Sequence, residues 1–167
     1  MVEVSPMSKR AFIISGLYKL GVDISDIAEI VYTEQSVYIK DITRSECIDA
    51  VNSVLGKYEV QHAVLVALEL DRLVNEGSIK EPLNKVLVED SPNFGVDEII
   101  VKSALNLYGS IADTNFGYLD KEKPGIIGVL NNRQKNGDSV TIFMDDAVAA
   151  LAACAEALVA SRRAPKN

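Results

Sequence analysis

The chain has 167 residues, a length typical of one domain that buries about two-thirds of the surface its unfolded form exposes. Apolar residues make up 48% and charged residues 25% of the sequence, as in a globular protein. The net charge is −7 and the lysines and arginines are scattered, so no basic stripe is present to neutralise a nucleic-acid backbone. We therefore expect one globular domain over residues 1–167 and no nucleic-acid partner.

The sequence also bears on the compartment. Cys47 and Cys154 fall in separate helical patterns without the paired spacing of a zinc or redox motif, which predicts buried free thiols. The opening residues lack the apolar core and small-residue cleavage site of a signal peptide. The longest apolar stretch, 147–160, contains Glu156 and is shorter than the roughly 20 residues of a membrane-spanning helix. These features predict a cytoplasmic protein without a membrane span.

Three helices are predicted in the first third of the chain. Apolar residues at helical spacing predict a helix over 8–20. Ser25 is a suitable N-cap for a second helix that reaches about Tyr38. Thr43 and Glu46 have the T-x-x-E spacing of a capping box, which predicts the start of a third helix.

The segment 57–75 carries apolar residues around nearly its whole circumference, as a helix surrounded by others requires. We therefore predict that it is the central and most buried helix of the fold.

The remaining segments also predict helices, and strand signals are confined to 140–143. A short helix is predicted from Pro82 to Val88, another from about Val96 to Gly109 or Ile111, a loop over 109–125, a short helix from Pro124 to about Asn131, and a long alanine-rich helix over 144–163. The predicted fold class is all-α, a helical bundle with one central helix surrounded by others.

Carboxylates are the candidate chemical groups. His62 is the only histidine, which excludes a serine or cysteine triad and a two-histidine metal motif. Two acidic pairs stand at predicted helix starts, and a further carboxylate lies in an apolar stripe of the segment 57–75. These residues are Asp97, Glu98, Asp145, Asp146 and Asp71. Each pair can alternatively be explained by favourable interaction with the helix dipole.

A metal ion or a basic partner would relieve the cost of burying Asp71, and the alternative is that Asp71 lies at the exposed end of its helix. Because neighbouring helical residues point about 100° apart, Asp145 and Asp146 are expected to play unequal roles, one as a ligand and the other as a cap or support. Oxygen ligands without sulfur or imidazole suit Mg²⁺ or Mn²⁺, and such sites commonly bind substrate phosphates. The predicted chemistry is phosphoryl hydrolysis.

The predicted loop over 109–125 contains glycines, hydroxyls, amides and lysines suited to binding an anionic substrate. Its candidate substrate-binding residues are Ser110, Thr114, Asn115, Lys121 and Lys123. An ordinary polar loop is the alternative explanation for the same composition.

Three segments resemble the phosphatidylglycerophosphatase A family: VDEII at 96–100, YGSIADTNFGYLDKEKPGII at 108–127 and FMDDAVAALAA at 143–153. The resemblance is to its soluble, YutG-like branch, which includes proteins called low-temperature requirement C. It implies a helical bundle and Mg²⁺-dependent removal of the terminal phosphate of phosphatidylglycerophosphate. It also implies that the two acidic pairs match the acidic motifs of the family.

A phosphatase without a membrane span would have to meet a lipid head group by peripheral contact with the bilayer surface. Two other hypotheses remain open at this point. One is an all-helical, Mg²⁺-dependent nucleotide pyrophosphatase, and the other is a non-catalytic binding or assembly protein. The extent of apolar helix surface also predicts a homo-oligomer.

Overall fold

Nine helices form the secondary structure of residues 7–165, the part of the chain that the computed structural model describes. They are α1 (Lys9–Lys19), α2 (Ile24–Gln35), α3 (Arg44–Val54), α4 (Tyr58–Asn75), α5 (Leu83–Val88), α6 (Val96–Leu105), α7 (Gly109–Glu122), α8 (Ile126–Asn136) and α9 (Met144–Arg163). No strand occurs in this range, and residues 140–143 form a loop and a turn. The all-α prediction is confirmed.

Side-chain caps define the starts of α2 and α3. At α3 the predicted capping box is present, since the Thr43 N–H donates to Glu46 Oε2 at 2.9 Å and the Glu46 N–H donates to Thr43 Oγ1 at 3.2 Å. The N-cap of α2 is Asp23 and not Ser25, because Asp23 Oδ1 accepts the Ser25 N–H at 2.9 Å. The helix thus begins two residues before the expected start, with a second capping box.

The central helix is α9. It packs against α2, α3, α4, α6, α7 and α8, and fifteen of its 20 residues are buried. The prediction that 57–75 is the most buried helix is wrong, because only seven of the 18 residues of α4 are buried. One side of α4 faces solvent, where His62, Val66 and Glu69 are exposed. The alanines of α9 let six helices approach it closely.

The segment 109–122 is helical, which corrects the predicted loop. Gly109 has a φ of +78° and starts α7. Ala112, Phe116 and Leu119 are buried on one face of α7, at spacings of four and three residues. The preceding helix, α6, therefore ends earlier than predicted, at Leu105.

Buried apolar residues from Ile13 to Val159 form one hydrophobic core, and they include the free thiols of Cys47 and Cys154. The prediction for both cysteines is confirmed. No helix in residues 7–165 combines the length and the hydropathy needed to cross a membrane.

Candidate active site

The ends of four helices meet at a cavity of about 180 Å³, which we call the acid cavity. Asp97 and Glu98 lie in the first turn of α6, and Asp145 and Asp146 lie in the first turn of α9. The two acidic pairs that the sequence singled out therefore line one site. The full lining is Asp90, Asp97, Glu98, Asp120, Lys123, Asn131, Gln134, Ile142, Asp145 and Asp146.

Among the residues that the structure describes, 7–165, Lys123 is the one cation that lines the acid cavity. It is the C-cap of α7, with a left-handed φ of 49°. Its Nζ donates to Asp145 Oδ2 at 3.0 Å, lies 3.5 Å from Asp146 Oδ1 and also pairs with Asp120. Burial acts to lower the pKa of Lys123, but the charge of Asp145 and its other acidic partners outweigh burial and raise that pKa. The ammonium therefore stays charged among the carboxylates.

The carboxylates of this cavity hold more negative charge than Lys123 can neutralise. Burial raises the pKa of Asp145, and it raises the pKa of Asp146 with a further contribution from the charge of Asp145. Burial also raises the pKa of Asp97, and the charge of Glu98 adds to it. A second cation in the cavity would relieve this repulsion.

Asp71 makes its hydrogen bonds to the backbone at the start of α9 and does not line the acid cavity. Its Oδ1 accepts the N–H of Phe143 at 3.2 Å, and its Oδ2 accepts the N–H of Met144 at 3.0 Å. These two N–H groups stand at the start of α9, where the helix itself supplies no acceptor. Asp71 therefore caps α9 from the side of α4. Asp71 does not line the acid cavity, and the structure does not bring it into the group of predicted metal ligands.

This cap bears on the alternative that the acidic pairs only cap their helices. The N–H groups of Phe143 and Met144 are bound by Asp71, so α9 does not depend on Asp145 or Asp146 for those two hydrogen bonds. Asp145 Oδ1 accepts only the neighbouring Asp146 N–H, at 3.0 Å, while Oδ2 faces Lys123. Interaction with the helix dipole still applies, but it does not explain why both pairs line one cavity.

The donor chemistry of the acid cavity fits a divalent cation. Carboxylates and the amides of Asn131 and Gln134 offer hard oxygen atoms, and Mg²⁺ and Mn²⁺ prefer such ligands. Between residues 7 and 165, no three Asp, Glu, His or Cys side chains are arranged as a ready-made metal site. The Lys123 ammonium is instead the cation that contacts Asp145 and Asp146. An ion would therefore have to share these carboxylates with Lys123.

Most of the predicted substrate-binding residues lie away from the acid cavity. Ser110, Thr114 and Lys121 are exposed on α7 and do not line it. Asn115 lines a different cavity, of about 360 Å³. Ser110 precedes Lys123 by 13 residues, about 20 Å along a helix, which explains the separation. Of the five, only Lys123 is brought to the carboxylates.

Five residues that line the acid cavity were not predicted from the sequence: Asp90, Asp120, Asn131, Gln134 and Ile142. One signal was available for Asn131 and Gln134, since amides three residues apart share a helix face. A second was available for Asp120, which stands three residues before Lys123 and pairs with it on the same turn. Neither signal is specific without the helix ends that bring these residues to Asp97 and Asp145.

Comparison with known proteins identifies the family of the chain. The chain is 47% identical to the uncharacterized protein YutG of Bacillus subtilis over 142 residues, which are 85% of this chain and 84% of YutG. It is 40% identical to the low temperature requirement C protein of Listeria monocytogenes, with a TM-score of 0.89 and coverage of 95% and 98% of the two chains. A Bacillus stearothermophilus protein of unknown function gives 44% identity, a TM-score of 0.88 and coverage of 93% and 95%. The family described as Phosphatidylglycerophosphatase A matches residues 13–161, and the chain therefore belongs to the phosphatidylglycerophosphatase A family.

Proposed function

We propose that this protein is a Mg²⁺-dependent phosphoric monoester hydrolase that removes the terminal phosphate of phosphatidylglycerophosphate or of a related phosphate monoester. The observation that carries the proposal is the meeting of six acidic side chains and Lys123 at one cavity formed by helix ends. The family to which the chain belongs supports the same reaction class. Mn²⁺ is the alternative metal.

The size of the acid cavity supports a substrate that enters only by its phosphate. Its volume of about 180 Å³ is below the range of roughly 300–1,000 Å³ that encloses a drug-sized ligand. A phosphorylated head group fits this space, whereas the acyl chains of a lipid do not. A lipid substrate would therefore keep its acyl chains outside the protein, at a bilayer or micelle surface.

The residues of the cavity have distinct roles in this proposal. Asp97, Glu98, Asp145 and Asp146 would hold the metal, which when bound polarises the phosphoryl group and neutralises its charge. Lys123 would donate to the phosphoryl oxygens and stabilise the negative charge that develops on them. Asp97 would also accept a hydrogen bond from the attacking water and orient it towards the phosphoryl group. Asp71 would act as a positioning residue by holding the start of α9.

A phosphate-release screen tests the proposal directly. Purified protein with Mg²⁺ is offered phosphatidylglycerophosphate in mixed micelles, phosphatidic acid, glycerol 3-phosphate and nucleoside triphosphates. We expect release of inorganic phosphate from a monoester and none in the presence of a chelator. Pyrophosphate release from nucleotides would instead support the pyrophosphatase hypothesis, and no turnover of any compound would support the binding-protein hypothesis.

Substitutions at the start of α9 locate the activity. Asp145→Asn and Asp146→Asn should each lower turnover, by about 100-fold or more for a metal ligand, and unequally because the two side chains point about 100° apart. Asp113→Asn is the matched control, because Asp113 is exposed on α7 and does not line the cavity. Mild and equal effects at Asp145 and Asp146, with turnover intact, would contradict the proposed site.

A further inference from the structure

A second cavity, of about 630 Å³, lies at the opposite end of α9 from the acid cavity. It is formed where the carboxyl end of α9 meets the α3–α4 junction and the residues between α6 and α7. Asp145 and Arg162 are 17 residues apart, which is about 25 Å along a helix, so the two cavities are separate. The second cavity is lined by Ser53, Lys57, Glu59, Leu107, Tyr108, Ala157, Leu158, Ser161 and Arg162.

Two cations in this cavity lack an acidic partner. Within residues 7–165, neither Lys57 nor Arg162 forms an ion pair, and Arg162 Nη2 donates to the neutral Ser53 Oγ at 3.0 Å. The adjacent Arg163, by contrast, is neutralised by Asp41 at 2.9 Å and Glu46 at 2.5 Å. A guanidinium has five N–H donors, so most of those of Arg162 remain available.

Other groups in the cavity also favour an anion. Lys57 is the N-cap of α4, and no side chain in the described part of the chain, 7–165, caps that helix start. An uncapped helix N-terminus offers N–H donors and a positive dipole end, which attract phosphate. The hydroxyls of Ser53 and Ser161 add short polar groups. Glu59 opposes an anion, so the lining holds two cations against one carboxylate.

The remaining lining is apolar, from Leu107, Ala157, Leu158 and the Tyr108 ring. The volume of about 630 Å³ lies inside the range of roughly 300–1,000 Å³ for small-molecule sites and exceeds that of the acid cavity more than threefold. The occupant would therefore combine a phosphate with a compact apolar part.

We propose that this cavity binds a phosphate monoester between Lys57 and Arg162, without hydrolysing it, at a site separate from the acid cavity. A lysine and an arginine that line the same cavity together favour a dianion over a singly charged carboxylate. The acid cavity would perform hydrolysis, whereas the described lining of this second cavity holds a single carboxylate, that of Glu59. The proposal is independent of whether the protein proves to be a phosphatase.

The test measures binding by the full chain in the presence of a chelator, which removes metal-dependent binding at the acid cavity. Phenyl phosphate, a phosphate monoester with a compact apolar part, is the soluble probe, followed by calorimetry or NMR, and phosphatidic acid in phosphatidylcholine vesicles is the lipid probe. We expect binding of at least one probe. The probe that binds shows whether the natural ligand is a free phosphate ester or a lipid head group. Lys57→Gln and Arg162→Gln should each weaken it about tenfold or more, since each removes a charge-assisted hydrogen bond.

Three further variants make the outcome decisive. Arg163→Gln, on the same helix turn but with its own acidic partners, should leave binding within about twofold. Glu59→Gln should tighten binding, because it removes the opposing charge. Asp145→Asn should leave binding unchanged if the site is separate from the acid cavity. Absence of binding to both probes, or binding that survives both Lys57→Gln and Arg162→Gln, would overturn the proposal.

Discussion

Asp71 and Met144 join α4 to the first turn of α9 through a buried hydrogen bond of 3.0 Å from the Met144 N–H to Asp71 Oδ2. The other carboxylate oxygen accepts the Phe143 N–H at 3.2 Å. Burial raises the pKa of Asp71 to about 8, although these two hydrogen bonds act in the opposite direction. One side chain of α4 thus fixes the helix end that carries Asp145 and Asp146.

Removing this cap should destabilise the protein. Asp71→Ala leaves two buried N–H groups without partners, and we expect a loss of about 1–3 kcal/mol in the free energy of unfolding by urea. Asp71→Asn retains an acceptor and should cost less than Asp71→Ala. Its metal-induced rise in thermal midpoint should remain. Complete loss of that metal response in Asp71→Asn would instead identify Asp71 as a ligand.

The fold class and the start of α3 could be predicted from apolar spacing and local hydrogen bonds, whereas the predicted ends of α6 and α8 and the predicted loop over 109–125 were wrong. The reciprocal Thr43 and Glu46 bonds start α3 where the capping box predicted. The span of α9, residues 144–163, was also predicted, although its start is capped by the distant Asp71 on α4. The predicted start of the second helix was two residues too late, because Asp23 and not Ser25 is its N-cap. Caps of this kind depend on residues within one turn, so a sequence records them directly.

Burial was harder to predict, because it depends on which helices meet. Large apolar side chains made 57–75 the expected centre, whereas α9 is buried through small alanines that other helices can approach. Glycines and polar residues likewise concealed α7, although the buried Ala112, Phe116 and Leu119 have helical spacing. The acid cavity follows the same rule: both acidic pairs were visible, but their meeting with Asp120 depends on tertiary packing.

Divalent metal should stabilise the native protein through the acid cavity. An ion that binds only the folded state at ten times its Kd adds about 1.4 kcal/mol, which raises the thermal midpoint of a chain of this size by about 3–6 °C. The rise should be smaller at pH 5 than at pH 8, because ligands must lose their protons to bind. Thermal unfolding with Mg²⁺ or Mn²⁺, against a chelator control, measures this. A thermal midpoint that does not change on addition of millimolar metal at pH 8 would count against the metal site.

Lys123 and Lys121 provide a matched pair for the phosphate-binding role. Both were predicted to bind substrate, yet only Lys123 lines the acid cavity and Lys121 is exposed. Lys123→Gln should lower kcat/KM by about tenfold or more, as expected for loss of a charged donor to the phosphoryl group. Lys121→Gln should change it less than about twofold. Equal losses in steady-state phosphate release would show that Lys123 has no special contact with substrate.

Glu156 gives a prediction that does not depend on the proposed activity. It lies on α9 with 2% of its surface exposed, and its Oε1 has no hydrogen-bond partner in residues 7–165. Burial raises the pKa of Glu156 to about 8, the charge of Glu34 adds to this effect, and the Asn115 side chain opposes it. The folded protein therefore retains a proton that the unfolded chain loses near the ordinary value of 4.5. The stability that this proton contributes is fully present below about pH 4.5, and it is lost as the pH rises from there towards 8.

Glu156→Gln should remove this pH dependence, because glutamine has nearly the same shape and does not ionise. Between pH 5 and pH 8 a single retained proton changes the free energy of unfolding by up to about 1.4 kcal/mol per pH unit. Glu156→Gln should thus gain stability over the natural protein as the pH rises, measured by urea unfolding at pH 5, 6.5 and 8. The exposed Glu122→Gln is the control for loss of one negative charge. Parallel stability profiles for the natural protein and Glu156→Gln would show that Glu156 is ionised and satisfied in the folded state.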